Sequence, residues 1–228
     1  QSIWHNTKNY IAGFVRLSIR DLSTNGDQPM LSDCGNYCIS FNGEIYNTQL
    51  LLQLLKPYRS SYKSTSDTEL LLYALIHLGI DKTLEIIDGI FAFAFYALKQ
   101  DKLILARDRL GIKPLYIGTC SEGVVYSSQY DHIINHSYCK DQPFNESVVA
   151  SYLSLGYMPD NSGVINNTKM LPHGYYCVID NGGINTYRYY NYFSSATAQK
   201  ITSVDAVLDD AVSSQLVSDV AIGTFMSG

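Results

Sequence analysis

Residues Ile90-Phe91-Ala92-Phe93-Ala94-Phe95 form an unbroken apolar run in which large and small side chains alternate. Such a run reads as a strand with two apolar faces, and a strand of that kind lies in a sheet covered on both sides. The phenylalanine face suits a layer of helices. The alanine face lets a second sheet approach closely. The run therefore predicts four layers, helix on sheet on sheet on helix, with antiparallel hairpins: an α+β sandwich.

The rest of the chain supplies matching parts. Tyr37 to Tyr46, Ile90 to Leu98, Lys102 to Asp108, Leu115 to Thr119 and Gly123 to Ser128 are rich in β-branched and aromatic residues and read as strands. Gly174 to Asp180 and Ile184 to Tyr190 read as a hairpin closed by Asn181-Gly182-Gly183, where an Asn-Gly turn would supply positive φ. A second turn is expected at Gln100-Asp101. Ser66-Asp67-Thr68-Glu69 has the form of a capping box, followed by a helix over Leu70 to Leu78 that Gly79 stops. Thr48 to Leu55 and Glu146 to Leu155 are expected helices. Ser203 to Val217 carries apolar residues at helical spacing on one face. Phe193 to Lys200 is polar and small and reads as a linker. Beyond it, a helix, a strand over Val220 to Phe225 and a Ser-Gly loop resemble the opening of an α/β nucleotide-binding domain.

Charge and length exclude several functions. The 228 residues carry a net charge of -5, against a nucleic-acid or anionic-membrane surface, both of which need basic patches. The longest apolar run, Ile90 to Leu98, is about half the ~20 residues of a membrane helix. The chain opens on Gln1 and stops at Ser227-Gly228 just after an apolar segment, so a piece of a longer protein is expected. The five cysteines, Cys34, Cys38, Cys120, Cys139 and Cys177, follow no zinc spacing and are expected to be reduced, structural and cytoplasmic. His132 and His136 stand four apart, but no third ligand follows, so no metal site is read.

Some residues could carry chemistry. Asn42-Gly43-Glu44 ends a strand. The Gly would let the backbone approach a ligand, and an Asn side chain with the next backbone N–H can form an oxyanion hole. A bulge or turn is the structural alternative. Arg16, in Val15-Arg16-Leu17-Ser18-Ile19, either pairs with a buried carboxylate or grips a ligand carboxylate. Asp67 lies in the first turn of a helix, where an anion is favoured for stability alone or for binding. Arg107 and Arg109, in Ala106 to Tyr116, are expected to pair with carboxylates and shape the turn before Pro114.

Together these segments resemble the glutaminase domain of glutamine-dependent asparagine synthetases. The resemblance is carried by Phe41 to Asn47, Ser66 to Glu69, Asp88 to Ala94, Ala106 to Tyr116, Arg16 to Ile19 with Gln28-Pro29-Met30, Leu155 to Pro159, Leu171 to Gly174, and Val217 to Gly228. It covers nearly the whole chain in order. It implies an N-terminal-nucleophile hydrolase sandwich over residues 1–192, a linker over 193–200, and the start of an ATP-pyrophosphatase-type domain over 201–228. It also implies a mechanism. An N-terminal Cys attacks the glutamine side-chain amide with its own α-amino group as base, and ammonia passes to an ATP-dependent site that amidates aspartate. Carried over by motif, Arg16 would hold the glutamine α-carboxylate, and the backbone of Leu17, Ser18, Ile19 and Arg20 would line the pocket. Asn42 and Gly43 would form the oxyanion hole. Asp67, with Glu44, would bind the α-ammonium. Met226, Ser227 and Gly228 would be the lip of the ATP loop. The resemblance further implies ATP with Mg²⁺ in the full-length enzyme and no cofactor bound to this segment. The implied partners are glutamine, aspartate and ATP, with a homodimer as the candidate assembly.

Departures accompany the resemblance. No Cys stands first, and no internal Cys can replace it, because the mechanism needs a free α-amino group beside the thiol. Phe14 and Val15 stand where basic residues are usual. Ser127-Ser128-Gln129 replaces a motif ending in Glu, and Asp131 replaces a common Lys. The 228 residues alone are therefore expected neither to hydrolyse glutamine nor to hold ATP tightly. The alternatives are a related amidotransferase for another acceptor, such as a surface-polysaccharide sugar acid, and a non-catalytic glutaminase-like scaffold of the β-lactam synthetase kind.

Overall fold

The structure, a computed structural model, describes residues 9–158, 161–193 and 203–224 in full and the backbone of residues 2–6. Eleven strands and six α-helices are described. In chain order they are β1 (Ser2–Asn6), β2 (Tyr10–Phe14), β3 (Met30–Leu31), β4 (Tyr37–Ile45), α1 (Thr48–Leu55), α2 (Asp67–His77), α3 (Gly79–Ile86), β5 (Gly89–Ala97), β6 (Lys102–Arg107), β7 (Tyr116–Cys120), β8 (Gly123–Ser127), α4 (Tyr130–Ile134), α5 (Glu146–Leu155), β9 (Thr168–Met170), β10 (Tyr175–Asp180), β11 (Gly183–Arg188) and α6 (Val204–Gln215).

The central sheet has six strands in the order β11-β10-β6-β5-β4-β3, every pair antiparallel. A second sheet runs β8-β7-β9, and β1 pairs with β2 as a separate ribbon. The two faces of β5 behave as its alternation predicts. Phe91, Phe93 and Phe95 join one core with Leu51 and Leu55 of α1, Leu71 and Leu72 of α2, and Leu84 of α3. Ala92 and Ala94 face a second core with Leu115, Ile117 and Leu171, where the small sheet closes down. A third cluster, built on Ile133 and Cys139, packs Tyr130 and Ile134 of α4 against Tyr116 and Val125 of that sheet. The layers are thus helix, sheet, sheet, helix.

Helix α2 is the most enclosed element, with Asp67 through Leu75 all buried. A helix surrounded on all sides needs no amphipathic stripe, which is why its apolar residues run consecutively. Its N-terminus departs from the expected capping box. Ser66 is the N-cap, but its hydroxyl makes no cap bond. The Glu69 carboxylate accepts instead from the Lys63 and Ser64 amides at 3.2 and 2.6 Å and pairs with Arg59 at 3.1 Å. Glu69 therefore holds the loop before the helix. Gly79, at φ 79°, ends α2 as expected and also opens α3, a helix not expected from the sequence.

Other expectations are adjusted. The β10–β11 hairpin forms, but the positive φ falls on Gly183 and not on Asn181 or Gly182. Arg107 and Arg109 shape their turn through carbonyls, not carboxylates. Arg107 donates to Gly111, Lys113 and Leu171, and Arg109 donates to Glu85 and Ile87. Asp108 instead caps the turn, accepting from the Leu110, Ile112 and Lys113 amides. Helix α6 forms, with its apolar side chains exposed. No strand forms over residues 220–224, because no strand pairs with that segment among the described residues. Phe225 and, apart from Phe193, the linker expected over 193–200 lie outside the described residues.

Candidate active-site cleft

A cleft of about 770 Å³ opens beside the C-terminal half of β4. Its wall includes Arg16, Leu17, Ile19, Arg20, Gln28, Asn42, Gly43, Glu44 and Asp67 on one side and Lys113, Tyr126, Gln129 and His132 on the other. The structure thus brings together nearly every site residue expected from the sequence. Ser18 is near in sequence but does not line the cleft. Met226, Ser227 and Gly228 lie outside the described residues.

The strand β4 creates the cleft by running past its neighbour. Strand β3 pairs only with Cys38 and Ile39. Beyond that point the outer edge of β4 is met by side chains. Gln28 accepts from the Phe41 amide at 2.6 Å and donates to the Phe41 carbonyl at 3.1 Å. Two residues on from Gly43, Asp67 Oδ2 accepts from the Ile45 amide at 2.8 Å, and Arg20 donates to the Ile45 carbonyl at 3.1 Å. Gly43 lies between Phe41 and Ile45 and shares their orientation. Its partner across the ladder, Phe91, turns its own amide and carbonyl to Asp108. The N–H of Gly43 therefore points away from β5, along the edge that the cleft occupies.

Gly43 is also required by the neighbouring strand. A Cβ there would stand 2.1 Å from the Ile90 carbonyl oxygen and 2.7 Å from Phe91 Cα. The close approach is made to β5, and Gly89 opposite is equally confined by the Glu44 carbonyl. Side chains alternate along β4. Ile39, Phe41 and Ile45 enter the helical core, so Asn42 and Glu44 project on the opposite side, into the cleft.

Arg16 lines the cleft with its guanidinium engaged by its own loop. It donates to the carbonyls of Ser23 at 2.8 Å, Arg20 at 3.0 Å and Asp21, and to Asp27 at 3.0 Å. Asp27 is 56% exposed, so the carboxylate Arg16 meets is a surface one and not the buried partner considered from sequence. The side chain of Arg20 was missed by the sequence reading, which used only its backbone. It reaches Glu44 Oε1 at 2.6 Å and lies 3.7 Å from Asp67 Oδ2. Its signal was a second arginine four residues after Arg16, following Leu17-Ser18-Ile19. Burial, with the neighbouring Asp67 charge second, pushes the Glu44 carboxyl up to about 7. Burial likewise raises Asp67 against its bonds from the Ile45 amide. Gln28 and Asp21 were also missed, because polar residues in loops announce no partner.

None of the five cysteines lines the cleft, and all five are free. Burial pushes the Cys38 and Cys177 thiols up to about 12 and 11, so neither is a thiolate near neutrality. Among the described residues no group of three His, Cys, Asp or Glu side chains could hold a metal ion. No described helix is long and apolar enough to cross a membrane.

The chain is 31% identical to asparagine synthetase [glutamine-hydrolyzing] 3 of Bacillus subtilis, over all of this chain and 38% of that protein. It is 31% identical to a putative asparagine synthetase 2 of Methanocaldococcus jannaschii, over 98% of this chain and 47% of that protein. It is also 31% identical to asparagine synthetase B of Escherichia coli, over 96% and 35%. The chain therefore spans less than half the length of these relatives. In fold it resembles the allosteric regulatory enzyme of purine biosynthesis, at TM-score 0.53 and 20% identity over 78% of this chain and 34% of that one. It also resembles glutamine phosphoribosylpyrophosphate amidotransferase of B. subtilis, at TM-score 0.50 and 20% identity over 74% and 33%. The glutamine amidotransferase domain family matches residues 1–190, and the chain belongs to that family, with its N-terminal-nucleophile hydrolase fold.

Proposed function

We propose that the cleft binds glutamine and serves amide hydrolysis within a glutamine-hydrolysing asparagine synthetase. The ammonia released would amidate aspartate at an ATP-dependent site. The observation that carries this reading is the outward-facing Gly43 N–H beside the Asn42 side chain, above the Glu44–Asp67 pair. A backbone N–H and a side-chain amide from adjacent residues lining one cleft suit the oxyanion that forms when a nucleophile adds to the amide carbon. In the mechanism this reading assigns, Asn42 and Gly43 hold the oxyanion, and Glu44 and Asp67 receive the α-ammonium. Leu17, Ile19 and Arg20 close the wall.

Arg16 is assigned the α-carboxylate. Its bond to exposed Asp27 is weakly held and readily exchanged for a ligand carboxylate, while its bonds to the Arg20 and Asp21 carbonyls keep the guanidinium in place. This chain's residues bind, orient and stabilise charge. The attacking thiol of the proposed reaction is none of the cysteines in the chain. Residues 201–228 are proposed to begin the synthetase domain, which would use ATP and Mg²⁺.

A second reading is a glutaminase-like scaffold that binds without turning over. Kinetics of the whole protein separate the two. Under the first reading, Arg16→Ala raises the glutamine KM at least about tenfold while ammonia-dependent synthesis is kept, since about 1.4 kcal/mol of lost binding is tenfold. Equal loss of both activities, or no glutamine-dependent turnover in the native protein, contradicts it.

A further inference from the structure

The acidic subsite of the cleft already contains a cation. Arg20 Nη1 stands 2.6 Å from Glu44 Oε1 and 3.7 Å from Asp67 Oδ2, and it donates to the Ile45 carbonyl at 3.1 Å. The three side chains are 13%, 18% and 7% exposed, so the charges meet largely out of water. Here a guanidinium does for the two carboxylates what a ligand ammonium would do.

We infer that Arg20 is a specificity-determining residue whose guanidinium is a resident counter-cation for Glu44 and Asp67. It thereby lets the cleft accept a carboxamide acid without an α-ammonium almost as well as glutamine. The inference rests on the reading of the cleft as a glutamine site. The physical argument is one of charge. A subsite of two carboxylates alone would demand a cation from its ligand, because two buried negative charges repel. With Arg20 in place that demand is largely met. An incoming ammonium must then share the carboxylates with a guanidinium a few ångströms away, and it gains less than it would at a bare pair. Discrimination is a difference of affinities, and Arg20 lowers the one that depends on the ammonium. Arg16 does not substitute for it, since its guanidinium points into the 20–27 loop.

The test uses two ligands that differ only at the α-carbon: L-glutamine, and glutaramate, which lacks the α-amino group. Calorimetric titration of the native chain should give dissociation constants within about fivefold of each other. In Arg20→Gln, glutamine should bind at least about tenfold tighter than to the native chain, with glutaramate unchanged or weaker. Arg20→Lys keeps the charge and should keep the native ratio, and thermal melting of each variant verifies folding. A native preference for glutamine above about fivefold overturns the inference while leaving the glutamine reading intact. So does an equal loss of both ligands in a folded Arg20→Gln. If neither ligand binds the native chain, the glutamine reading itself fails and the inference fails with it.

Discussion

Asp219 clasps the loop of the cleft at Asp21. Its Oδ2 accepts from the Asp21 amide at 2.8 Å, and its own amide donates to the Ile19 carbonyl at 3.0 Å. Asp21 is a hub. Its carboxylate accepts from the amide and hydroxyl of Ser23, the Ser64 hydroxyl and the Thr65 amide. Burial opposes its ionisation, but these bonds prevail and hold the carboxyl well below the usual range. The residue also sits at φ 52°, a conformation few side chains adopt. A segment nearly two hundred residues away thus grips the loop that carries Arg16 and Arg20.

Asp219→Ala should loosen that grip without unfolding the core, because Asp219 is exposed. The expected result is faster hydrogen exchange at the Asp21 amide and a glutamine affinity lowered a few-fold. A bond to a charged acceptor is worth roughly 1.5–3 kcal/mol. Exchange measured by NMR at Asp21 and at a core amide such as Phe93 separates local from global opening. Unchanged exchange at Asp21 would show that the clasp carries no energy.

Glu44 gives the fold a pH signature. Its folded carboxyl, at about 7, lies above its ordinary value of 4.5, and Asp67 is shifted the same way. The folded state therefore binds these protons more tightly than the unfolded chain. Their contribution is fully present below about pH 4.5 and is lost as pH rises through about 7. Urea midpoints of the native chain should fall relative to Glu44→Gln between pH 5 and 8. A midpoint difference independent of pH would contradict the shift.

Two glycines on strands of different sheets should respond differently to alanine. At Gly43 the added Cβ meets backbone atoms of β5, which cannot rotate away. Gly43→Ala should cost about 3 kcal/mol or more, by analogy with overpacked cores, and should displace the β4 edge. At Gly13 of β2 nothing lies within 4 Å of such a Cβ, so Gly13→Ala should fall within about 1 kcal/mol of the native chain. Denaturant titration of both variants decides the matter.

The layers were legible because they follow from periodicity. The alternation of Phe91, Phe93 and Phe95 with Ala92 and Ala94 specifies which side of β5 takes helices and which takes a sheet, whatever the partners are. The cleft wall was legible as motifs, since Arg16, Asn42, Gly43, Glu44 and Asp67 gather at one place. Side-chain partners were not legible. Glu69 has the spacing of a capping box, yet it turns to Arg59, Lys63 and Ser64, because a buried carboxylate seeks the most donors within reach. Arg16 and Arg20 are four residues apart in one loop. Only the fold shows that one guanidinium faces carbonyls and the other faces Glu44 and Asp67. Helix α3 was hidden because Gly79 both stops one helix and starts another, and its eight residues are too short a stretch to stand apart from α2.

The central claim is that the edge of β4 at Gly43 is a glutamine site, and the Gly43 amide reports on it directly. L-Glutamine titrated into the ¹⁵N-labelled chain should shift the Gly43 amide resonance saturably, with Asn42 and Ile45 following and the β10–β11 hairpin still. Shifts confined to residues outside the cleft, or no saturable shift at Gly43, would contradict the account.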